Sequence, residues 1–232
     1  MKILVSDYDR TFYRNEEEIH LNVDSVNTFM KNNIFIIATG RSEFDIKRAK
    51  TKYNINYNYL IINHGATIIK NDKVIYNVPI DNDVKNGVLD VLKYYNFIGM
   101  FVCTKENSRA SIDDDNLTKI HITFTDERLT GFVKKEIENK YGNFVNVYFA
   151  SQGKSLEIVS KKVGKAIALN YLINFEKFAV KDIFTVGDDV SDKLMLQEYN
   201  GYAINNAVDE IKSVTQNSCN SVHELVKKLS QR

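Results

Sequence analysis

Short runs of apolar residues, separated by amphipathic stretches, organise the first third of this sequence. Three such runs, at 2–6, 34–38 and 59–63, are rich in β-branched residues, which is typical of strands buried on both faces. Between them, apolar residues recur at helical spacing in 19–33, and a second helix is predicted over 43–53. Strands and helices that alternate in this way predict a parallel sheet with right-handed crossovers.

The hydrophobic pattern changes after residue 79 and returns at residue 160. A helix followed by two strands is predicted twice in this interval, at 83–95, 97–103, 119–124, 129–141, 145–150 and 155–159. Such a repeat is α+β in type and differs from the segments around it. We therefore predict an α/β fold: a doubly wound, Rossmann-like core with a mostly parallel sheet at 1–79 and 160–232, and a smaller inserted α+β domain at 80–159.

The alternation of helices and strands resumes after the insertion. It predicts a helix, a strand, a short helix, a strand and a final helix at 164–174, 182–186, 193–199, 202–204 and 221–229. These elements would complete the sheet that the first strands begin.

Acidic residues follow two of the predicted buried strands. Asp7 and Asp9 come directly after the strand at 2–6, and the alternation of side chains along a strand puts both on the same side. Asp188 follows the strand at 182–186, and ligands bind at the carboxyl ends of strands in open parallel sheets. Neighbouring carboxylates repel unless a cation lies between them, and oxygen ligands suit Mg²⁺. We therefore predict a Mg²⁺ site, although Asp-x-Asp alone is equally compatible with a polar loop.

Two further positions carry groups suited to an anion. The second strand ends in Thr39-Gly40-Arg41 directly before a helix, and a hydroxyl, backbone N–H groups and a guanidinium can bind phosphate. The alternative is that Thr39 and Ser42 are only turn and N-cap residues. Lys165 lies in the first turn of a helix, where the helix dipole disfavours a cation. It therefore either serves a site or extends its amine into solvent.

Composition narrows the classes of partner. With a formal net charge of +1, the chain lacks the basic surface of a nucleic-acid-binding protein. No apolar run approaches the ~18 residues of a membrane span, and the first residues lack the pattern of a signal peptide. Two widely separated cysteines, Cys103 and Cys219, fit a reducing compartment. We therefore predict a cytoplasmic protein without nucleic-acid or membrane partners.

A polar loop of the insertion contains three consecutive acids, Asp113 to Asp115. Such a run is either a second metal site or a solvated loop. The solvated loop is the favoured interpretation, because most runs of like charge are exposed to water.

Four short motifs make the chain resemble the haloacid dehalogenase superfamily of phosphohydrolases. They are Asp7-x-Asp9-x-Thr11, Thr39-Gly40-Arg41, Lys165-x-x-Ala168-Leu169 and Gly187-Asp188-x-x-x-Asp192. Each motif is weak alone, but four in this order and structural context are specific. The similarity extends over essentially the whole chain. Within the superfamily the chain looks like the Cof-type sugar-phosphate phosphatases, which carry a large α/β cap between the second and third motifs.

The resemblance implies a Mg²⁺-dependent phosphatase that acts through an aspartyl-phosphate. Asp7 would be the nucleophile, and Asp9 would be the general acid and base. Mg²⁺ would be held by the Asp7 carboxylate, the Asp9 backbone carbonyl and Asp188, with Asp192 supporting the metal site. Lys165 would also hold Asp7 in its ionised state. The predicted contacts with the substrate are Thr39, Gly40, Arg41, Lys165 and Asn206.

Three residues depart from the family pattern. Arg10 stands where glycine is usual, His64 where asparagine usually precedes Gly65-Ala66, and Ser191 where asparagine is common. Arg10 would stiffen the loop after Asp9 or reach toward the substrate. His64 would alter substrate contacts or form a structural hydrogen bond, and Ser191 would shift the geometry near the metal. None of the three removes an essential carboxylate.

The favoured partner is a small phosphorylated metabolite, above all a sugar phosphate. Two other functions stay open. A phosphomutase of the same superfamily would pass the phosphoryl group to a substrate instead of water. A non-catalytic phosphate-responsive module would resemble a receiver domain, although a presumed nucleophile on the first strand and an inserted domain fit a receiver poorly. Both a monomer and a homodimer are compatible with the sequence.

Overall fold

The structure is a computed structural model that describes residues 1–231, and the chain divides into two compact units. The first unit comprises Met1–Ile75 and the chain from Gly164 onward, and the second comprises Tyr76–Val163. The first has a mostly parallel sheet, whereas the second has an antiparallel sheet of its own. The α/β fold class predicted from the sequence is therefore confirmed.

Helices and strands are numbered along the described chain. The helices are α1 (Glu16–Phe29), α2 (Glu43–Tyr53), α3 (Asn82–Leu92), α4 (Glu127–Tyr141), α5 (Lys165–Glu176), α6 (Lys193–Glu198), α7 (Asp209–Val214) and α8 (Val222–Ser230). The strands are β1 (Ile3–Ser6), β2 (Ile34–Ala38), β3 (Tyr59–Ile62), β4 (Thr67–Lys70), β5 (Lys73–Asn77), β6 (Phe97–Cys103), β7 (Lys119–Phe124), β8 (Val145–Ala150), β9 (Ser155–Ser160), β10 (Ile183–Gly187), β11 (Asn200–Ile204) and β12 (Asn217–Cys219). The sequence pattern predicts all of these, with β4 and β5 expected as a hairpin at 67–70 and 73–76 around Asn71-Asp72, except α7 and β12. At six and three residues, these two are too short to show a period.

The central strand of the first unit is β1. The sheet has the order β12-β11-β10-β1-β2-β3-β4-β5, and β1 pairs in parallel with both β2 and β10. From β1 the chain adds strands up to β3 on one side of the sheet, and later adds β10 to β12 on the other side. Strand β4 runs antiparallel to β3, and β5 forms the far edge. Because the direction of building reverses beside β1, the carboxyl ends of β1 and β10 border the crevice where such sheets bind ligands.

The first helix illustrates how local sequence fixes the elements around this sheet. The Asn15 side chain caps α1 by accepting a hydrogen bond from the Glu18 backbone N–H at 2.9 Å, so the helix begins before the predicted start at Ile19. Its buried residues, spaced for one helical face, are Ile19, Asn22, Val23, Val26 and Phe29, and α1 packs against α8. No helix within residues 1–231 combines the length and the apolar character needed to cross a membrane.

The second unit packs α3 and α4 together against its own sheet, which has the order β6-β7-β9-β8. From Ile120 to Phe124, burial along β7 alternates as expected where every second side chain faces the core. The core draws apolar residues from both helices and from the strands, among them Val88, Ile120, Ile122, Val133, Ile137 and Ile158. The Lys161 backbone N–H donates to the Phe144 carbonyl at 2.7 Å, so the second unit extends past the predicted end of the insertion at residue 159.

A polar cluster occupies the other side of β7 and β9, and we refer to Lys119, His121 and Glu157 as the β7–β9 cluster. Lys119 Nζ lies 2.8 Å from Glu157 Oε1, and His121 Nδ1 lies 3.1 Å from the same oxygen. The His121 ring stacks on Phe101 with 4.4 Å between centroids, and the Arg109 guanidinium lies 3.9 Å from the Phe101 centroid. Only 1% of Lys119 is exposed. Its charge is therefore buried beside a carboxylate partner.

Candidate active site

Two adjacent parallel strands place the first pair of predicted acids side by side. Ser6 at the end of β1 is in register with Val186 on β10, and the Asp7 backbone N–H extends this ladder by donating to the Val186 carbonyl at 3.0 Å. Asp188 follows the last residue of β10. Both aspartates are buried. The carboxyl edge of the sheet thus carries two carboxylates that are largely removed from water.

Lys165, the first residue of α5, lies between two carboxylates. Its Nζ is 2.6 Å from Asp7 Oδ1 and 2.6 Å from Asp192 Oδ1, and the side chain is buried. The alternative in which this lysine extends into solvent is therefore wrong. The start of α5 can approach the loop after β3 because Gly65, at φ +94°, has no side chain; a Cβ there would lie 2.3 Å from the Gly164 carbonyl oxygen.

Asp192 fixes the loop that carries Asp188. Its Oδ2 accepts hydrogen bonds from the backbone N–H groups of Asp188 and Asp189, each at 3.1 Å, while Oδ1 accepts from Lys165. Gly187 permits this arrangement, because a Cβ at that position would lie 2.6 Å from Asp192 Cγ. Asp192 therefore positions Asp188 and Lys165 together.

The two carboxylate oxygens of Asp188 differ in their surroundings. Oδ1 accepts a hydrogen bond from Thr11 Oγ1 at 2.9 Å. Oδ2 is buried and accepts no hydrogen bond from the described part of the chain; Arg10 Nε lies 3.4 Å from it as an ion-pair contact. Buried polar atoms in folded proteins almost always have a partner. This oxygen is therefore the one oriented for a ligand.

These acids fit a hard divalent cation. Asp7, Asp188 and Asp192 can each offer one oxygen within 4.8 Å of the others; Lys165 contacts two of them, and the largely exposed Arg10 approaches Asp188. An all-oxygen donor set with surplus negative charge is what Mg²⁺ requires. The Asp9 carboxylate is not a member of this group, so its predicted part in the metal site depends on its backbone carbonyl alone.

Burial changes the protonation of the group. It raises the pKa of Asp7 well above the usual value; Lys165 opposes this rise, and Asp192 and Asp188 add to it. Burial also raises the pKa of Asp188 to about 6, against the lowering effect of the Thr11 hydrogen bond. For Lys165, burial lowers the pKa, but the charges of Asp192 and Asp7 outweigh burial and raise it. Lys165 therefore favours the ionised form of Asp7, as the resemblance implies, while burial opposes it; a bound cation would favour the ionised form further.

Arg41 binds Asp9 in this structure. Its Nη2 donates to Asp9 Oδ1 at 2.6 Å and its Nε to Oδ2 at 2.8 Å, a bidentate pair, and its guanidinium lies 4.7 Å from the Tyr8 ring centroid. The prediction placed Arg41 and Gly40 on the substrate phosphate. In this structure the Arg41 N–H groups that could donate to a phosphate donate to Asp9 instead. They thereby fix the carboxylate that is expected to act as acid and base.

The other residues predicted around the phosphate are held by the backbone. Thr39 is buried, and its Oγ1 accepts from the Arg41 N–H at 3.1 Å. The His64 N–H donates to the Thr39 carbonyl at 3.1 Å, so the loop after β3 supports the loop after β2. Ser42 caps α2 by accepting from the Asp45 N–H, as the alternative interpretation of that hydroxyl anticipated.

Asn206 contacts the loop after β1. Its Nδ2 donates to the Arg10 carbonyl at 2.9 Å, and its Oδ1 accepts from Arg14 Nη1 at 3.2 Å. The predicted contact with substrate would have to replace these bonds. The role that the geometry gives Asn206 is to fix the turn that follows Asp9.

Two features of the site were not anticipated from the sequence. Thr11, recognised only as part of a motif, donates to Asp188 across the sheet edge. Arg10, noted as a departure from the usual glycine, has φ +61° and contacts Asp188. The hydroxyl residue in Asp7-x-Asp9-x-Thr11 is the sequence signal for the first feature, because Thr11 lies in the loop after β1, next to the end of β10. The sequence carries no signal for the second, because a left-handed backbone is rarely occupied by arginine.

The acidic loop of the second unit is not a metal cluster. Lys85 Nζ donates to the Asp114 carbonyl at 3.1 Å and lies 3.7 Å from Asp115 Oδ1. The Asp114 carboxylate accepts from the Ser111 N–H at 2.9 Å. Across residues 1–231, the only set of three metal-suited side chains is the one at the β1–β10 edge. The solvated-loop interpretation is the one that fits.

Comparison with known proteins decides the family. The sequence model of the haloacid dehalogenase-like hydrolases matches residues 4–108 and 100–226. The chain belongs to this family. A curated protein from Buchnera aphidicola subsp. Baizongia pistaciae, named "Putative phosphatase", is 28% identical over 224 residues, which cover 84% of this chain and 82% of that protein.

Solved structures agree with this haloacid dehalogenase-family assignment. A haloacid dehalogenase-like hydrolase from Bacteroides thetaiotaomicron is 18% identical with a TM-score of 0.83, over 98% of this chain and 99% of that one. A subclass IIB sugar phosphatase of the superfamily is 14% identical with a TM-score of 0.77, over 100% and 98% of the two chains. The predicted likeness to Cof-type members is thereby confirmed, as is the prediction of a hydrolytic enzyme.

Proposed function

We propose that this haloacid dehalogenase-family hydrolase is a Mg²⁺-dependent phosphatase that cleaves a small phosphorylated metabolite, a sugar phosphate, through a phosphorylated Asp7. The observation that carries the proposal is the buried contact of Lys165 with both Asp7 and Asp192 beside the unbonded oxygen of Asp188. Such a site has one lysine for three carboxylates. It is suited to bind a cation together with the phosphoryl group that the cation attracts.

Asp7 is the proposed nucleophile. Lys165 holds Oδ1, so the carboxylate is oriented, and its attack on phosphorus forms the Asp7–phosphorus bond as the bond to the substrate alcohol oxygen breaks. Mg²⁺, when bound by Asp7, Asp188 and the Asp9 carbonyl, supplies the positive charge that keeps the acids ionised and offsets charge on the phosphoryl oxygens.

Asp9 is the proposed general acid and base. It gives its proton to the departing alcohol oxygen, and then takes a proton from the water that attacks the phosphorylated Asp7. That second attack releases inorganic phosphate and restores the Asp7 carboxylate. The bidentate contact with Arg41 occupies both Asp9 oxygens in this structure, so Asp9 must leave this contact and carry a proton before it can act as the acid.

Thr39 and Lys165 are the proposed contacts for the phosphoryl oxygens. The Thr39 oxygen already accepts a hydrogen bond from Arg41 N–H, so the hydrogen of the hydroxyl is the group that donates to phosphate. The choice of a sugar phosphate is supported by the fold likeness to a subclass IIB sugar phosphatase. A cytoplasmic location is supported by the two cysteines, Cys103 and Cys219, which are buried and form no disulfide.

The decisive experiment measures release of inorganic phosphate from p-nitrophenyl phosphate and a panel of sugar phosphates, with Mg²⁺ or with EDTA. Replacing Asp7 by asparagine removes the nucleophile, so Asp7→Asn should lose activity by roughly 10³-fold or more. Asp24→Asn removes the same charge from an exposed position on α1 and should keep full activity.

Three outcomes would overturn parts of the proposal. Turnover that persists in EDTA would rule out the metal requirement. Turnover that persists in Asp7→Asn would rule out Asp7 as the nucleophile. Transfer of the phosphoryl group to an added sugar acceptor, without release of inorganic phosphate, identifies a phosphomutase instead. A long-lived phosphorylated Asp7 without turnover identifies a non-catalytic phosphate-responsive module.

A further inference from the structure

Arg10 occupies a turn that is strained for an arginine. Its φ of +61° lies in the left-handed region that residues with a Cβ rarely adopt. The Arg10 N–H donates to the Tyr13 carbonyl at 2.8 Å, and its own carbonyl accepts from Asn206 Nδ2 at 2.9 Å. Hydrogen bonds thus hold both the N–H and the carbonyl of Arg10. The backbone from which its side chain extends toward Asp188 is therefore fixed.

The charged end of Arg10 lies beside the ligand-facing oxygen of Asp188. Nε is 3.4 Å from Asp188 Oδ2, and Nη2 is 3.4 Å from the Asn206 carbonyl. The Arg10 side chain is 60% exposed, whereas that of Asp188 is 2% exposed. The guanidinium therefore reaches a buried carboxylate from the solvent side and can leave without unpacking the core.

Asp188 cannot turn its other oxygen toward a cation. Thr11 holds Oδ1 at 2.9 Å, and Asp192 fixes the Asp188 backbone N–H at 3.1 Å. The same oxygen, Oδ2, must therefore face both Arg10 and any metal bound between Asp7 and Asp188. Two cations close to one carboxylate oxygen repel each other.

We infer that Arg10 is a tethered counter-ion of Asp188 that competes with the metal and lowers the affinity of the site for Mg²⁺. This inference rests on the proposed function, because it takes the Asp7–Asp188 group to be the Mg²⁺ site. Metal binding displaces the guanidinium from Asp188. The contact with the Asn206 carbonyl and the exposure of the side chain give the released guanidinium a position in water.

The test titrates the full-length protein with Mg²⁺ by isothermal calorimetry, without substrate. Arg10→Asn removes the charge with a residue that tolerates the left-handed region, and Arg10→Gly removes both charge and strain. Each should bind Mg²⁺ about threefold to fivefold more tightly, the range expected for loss of one largely exposed ion pair. Arg10→Lys keeps the charge and should bind within about twofold of the unmodified protein.

Two controls make the result specific. Arg48→Asn removes one positive charge from an exposed position on α2 and should leave Mg²⁺ affinity unchanged. Affinity compares metal-bound and metal-free states of the same variant, so backbone strain common to both states cancels. A merely structural role for Arg10 would therefore leave the affinity unchanged, or would move Arg10→Lys with Arg10→Asn.

The failure of this inference is distinguishable from failure of the proposed function. Asp188→Asn should abolish the calorimetric signal for Mg²⁺. If Mg²⁺ still binds this variant at the original affinity, both the proposed metal site and the inference about Arg10 are wrong. If Asp188→Asn abolishes binding but Arg10→Asn leaves it unchanged or weaker, only the role of Arg10 falls. Tighter binding in Arg10→Asn and Arg10→Gly, with Arg10→Lys unchanged, supports it.

Discussion

The two units of this protein both bury a lysine against carboxylates, but they balance its charge differently. In the β7–β9 cluster, Lys119 shares the single carboxylate of Glu157 with His121. At the edge of the parallel sheet, Lys165 lies between Asp7 and Asp192, and Asp188 lies beside them. Both lysines are buried to a similar degree. Burial of a charged side chain therefore does not mark a functional site by itself.

What distinguishes the functional site is negative charge that the protein's own cations do not neutralise. Acids outnumber bases at the sheet edge, one oxygen of Asp188 accepts no hydrogen bond from the described chain, and burial raises the pKa of both Asp7 and Asp188. A buried group left in this state costs free energy. Under the proposed function a bound cation would remove that cost at the sheet edge, whereas Glu157 of the β7–β9 cluster already contacts Lys119 and His121.

The largest expected effect comes from deleting each buried lysine in turn. Lys165→Met removes the buried cation between Asp7 and Asp192, so the free energy of unfolding without metal should fall by about 3 kcal/mol or more. Lys119→Met leaves Glu157 with His121 and should cost clearly less. Urea denaturation of the two variants checks the comparison. Equal losses would show that the two clusters do not differ in balance.

A smaller effect should follow from adding one methyl group in each unit. Gly187→Ala would bring a Cβ within 2.6 Å of Asp192 Cγ, so it should cost about 1–3 kcal/mol and weaken Mg²⁺ binding as the Asp188 loop shifts. Gly131, on α4 of the second unit, has open space around it; Gly131→Ala should be neutral or stabilise by up to about 1 kcal/mol. Thermal denaturation and Mg²⁺ titration measure both. A harmless Gly187→Ala would mean that Asp192 is not fixed there.

The smallest effect is a pH dependence at the sheet edge. The pKa of Asp188 is raised from 3.8 to about 6, so the folded metal-free protein holds this proton more tightly than the unfolded chain. Its contribution to stability is present below about pH 4 and is lost as pH rises through about 6. Without metal, Tm should fall by a few degrees across this window. Mg²⁺ should offset the fall, because it binds the ionised form and is released as pH drops below about 6.

The matched control for this measurement is Asp188→Asn, which cannot titrate. Its metal-free Tm should lack the part of the decline that belongs to this carboxylate, and Mg²⁺ should no longer restore stability at pH 7. If the variant and the unmodified protein show the same pH profile, Asp188 is not the group that titrates near pH 6.

The meeting of Asp7 and Asp188 was predictable because it follows from topology alone. Apolar runs identify buried strands, parallel strands end on one edge, and residues that directly follow them lie together there. The approach of Lys165 was expected only from the family resemblance, because its distance to Asp7 depends on how α5 starts against Gly65. Spacing along the sequence cannot give such a distance.

The pairing of Arg41 with Asp9 and the contact of Arg10 with Asp188 lay beyond the sequence. Each depends on the direction of a long side chain, and several rotamers of arginine reach different partners from one backbone position. The conformation of Arg10 adds a backbone choice that its residue type disfavours. The helix α7 and the strand β12 were missed for a different reason, because tertiary contacts support elements too short to show a pattern.

The position of β1 in the middle of the sheet has a consequence for synthesis of the chain. Its register partner Ile183 is separated from Ile3 by most of the sequence, so one edge of β1 has no partner until β10 has left the ribosome. At about 5–20 residues per second, this interval lasts roughly ten to thirty-five seconds. During that time the whole of Tyr76–Val163 emerges and can acquire its own core, while β1 exposes an open strand edge to other chains. The acids that the site needs thus stay apart until most of the chain has been synthesised.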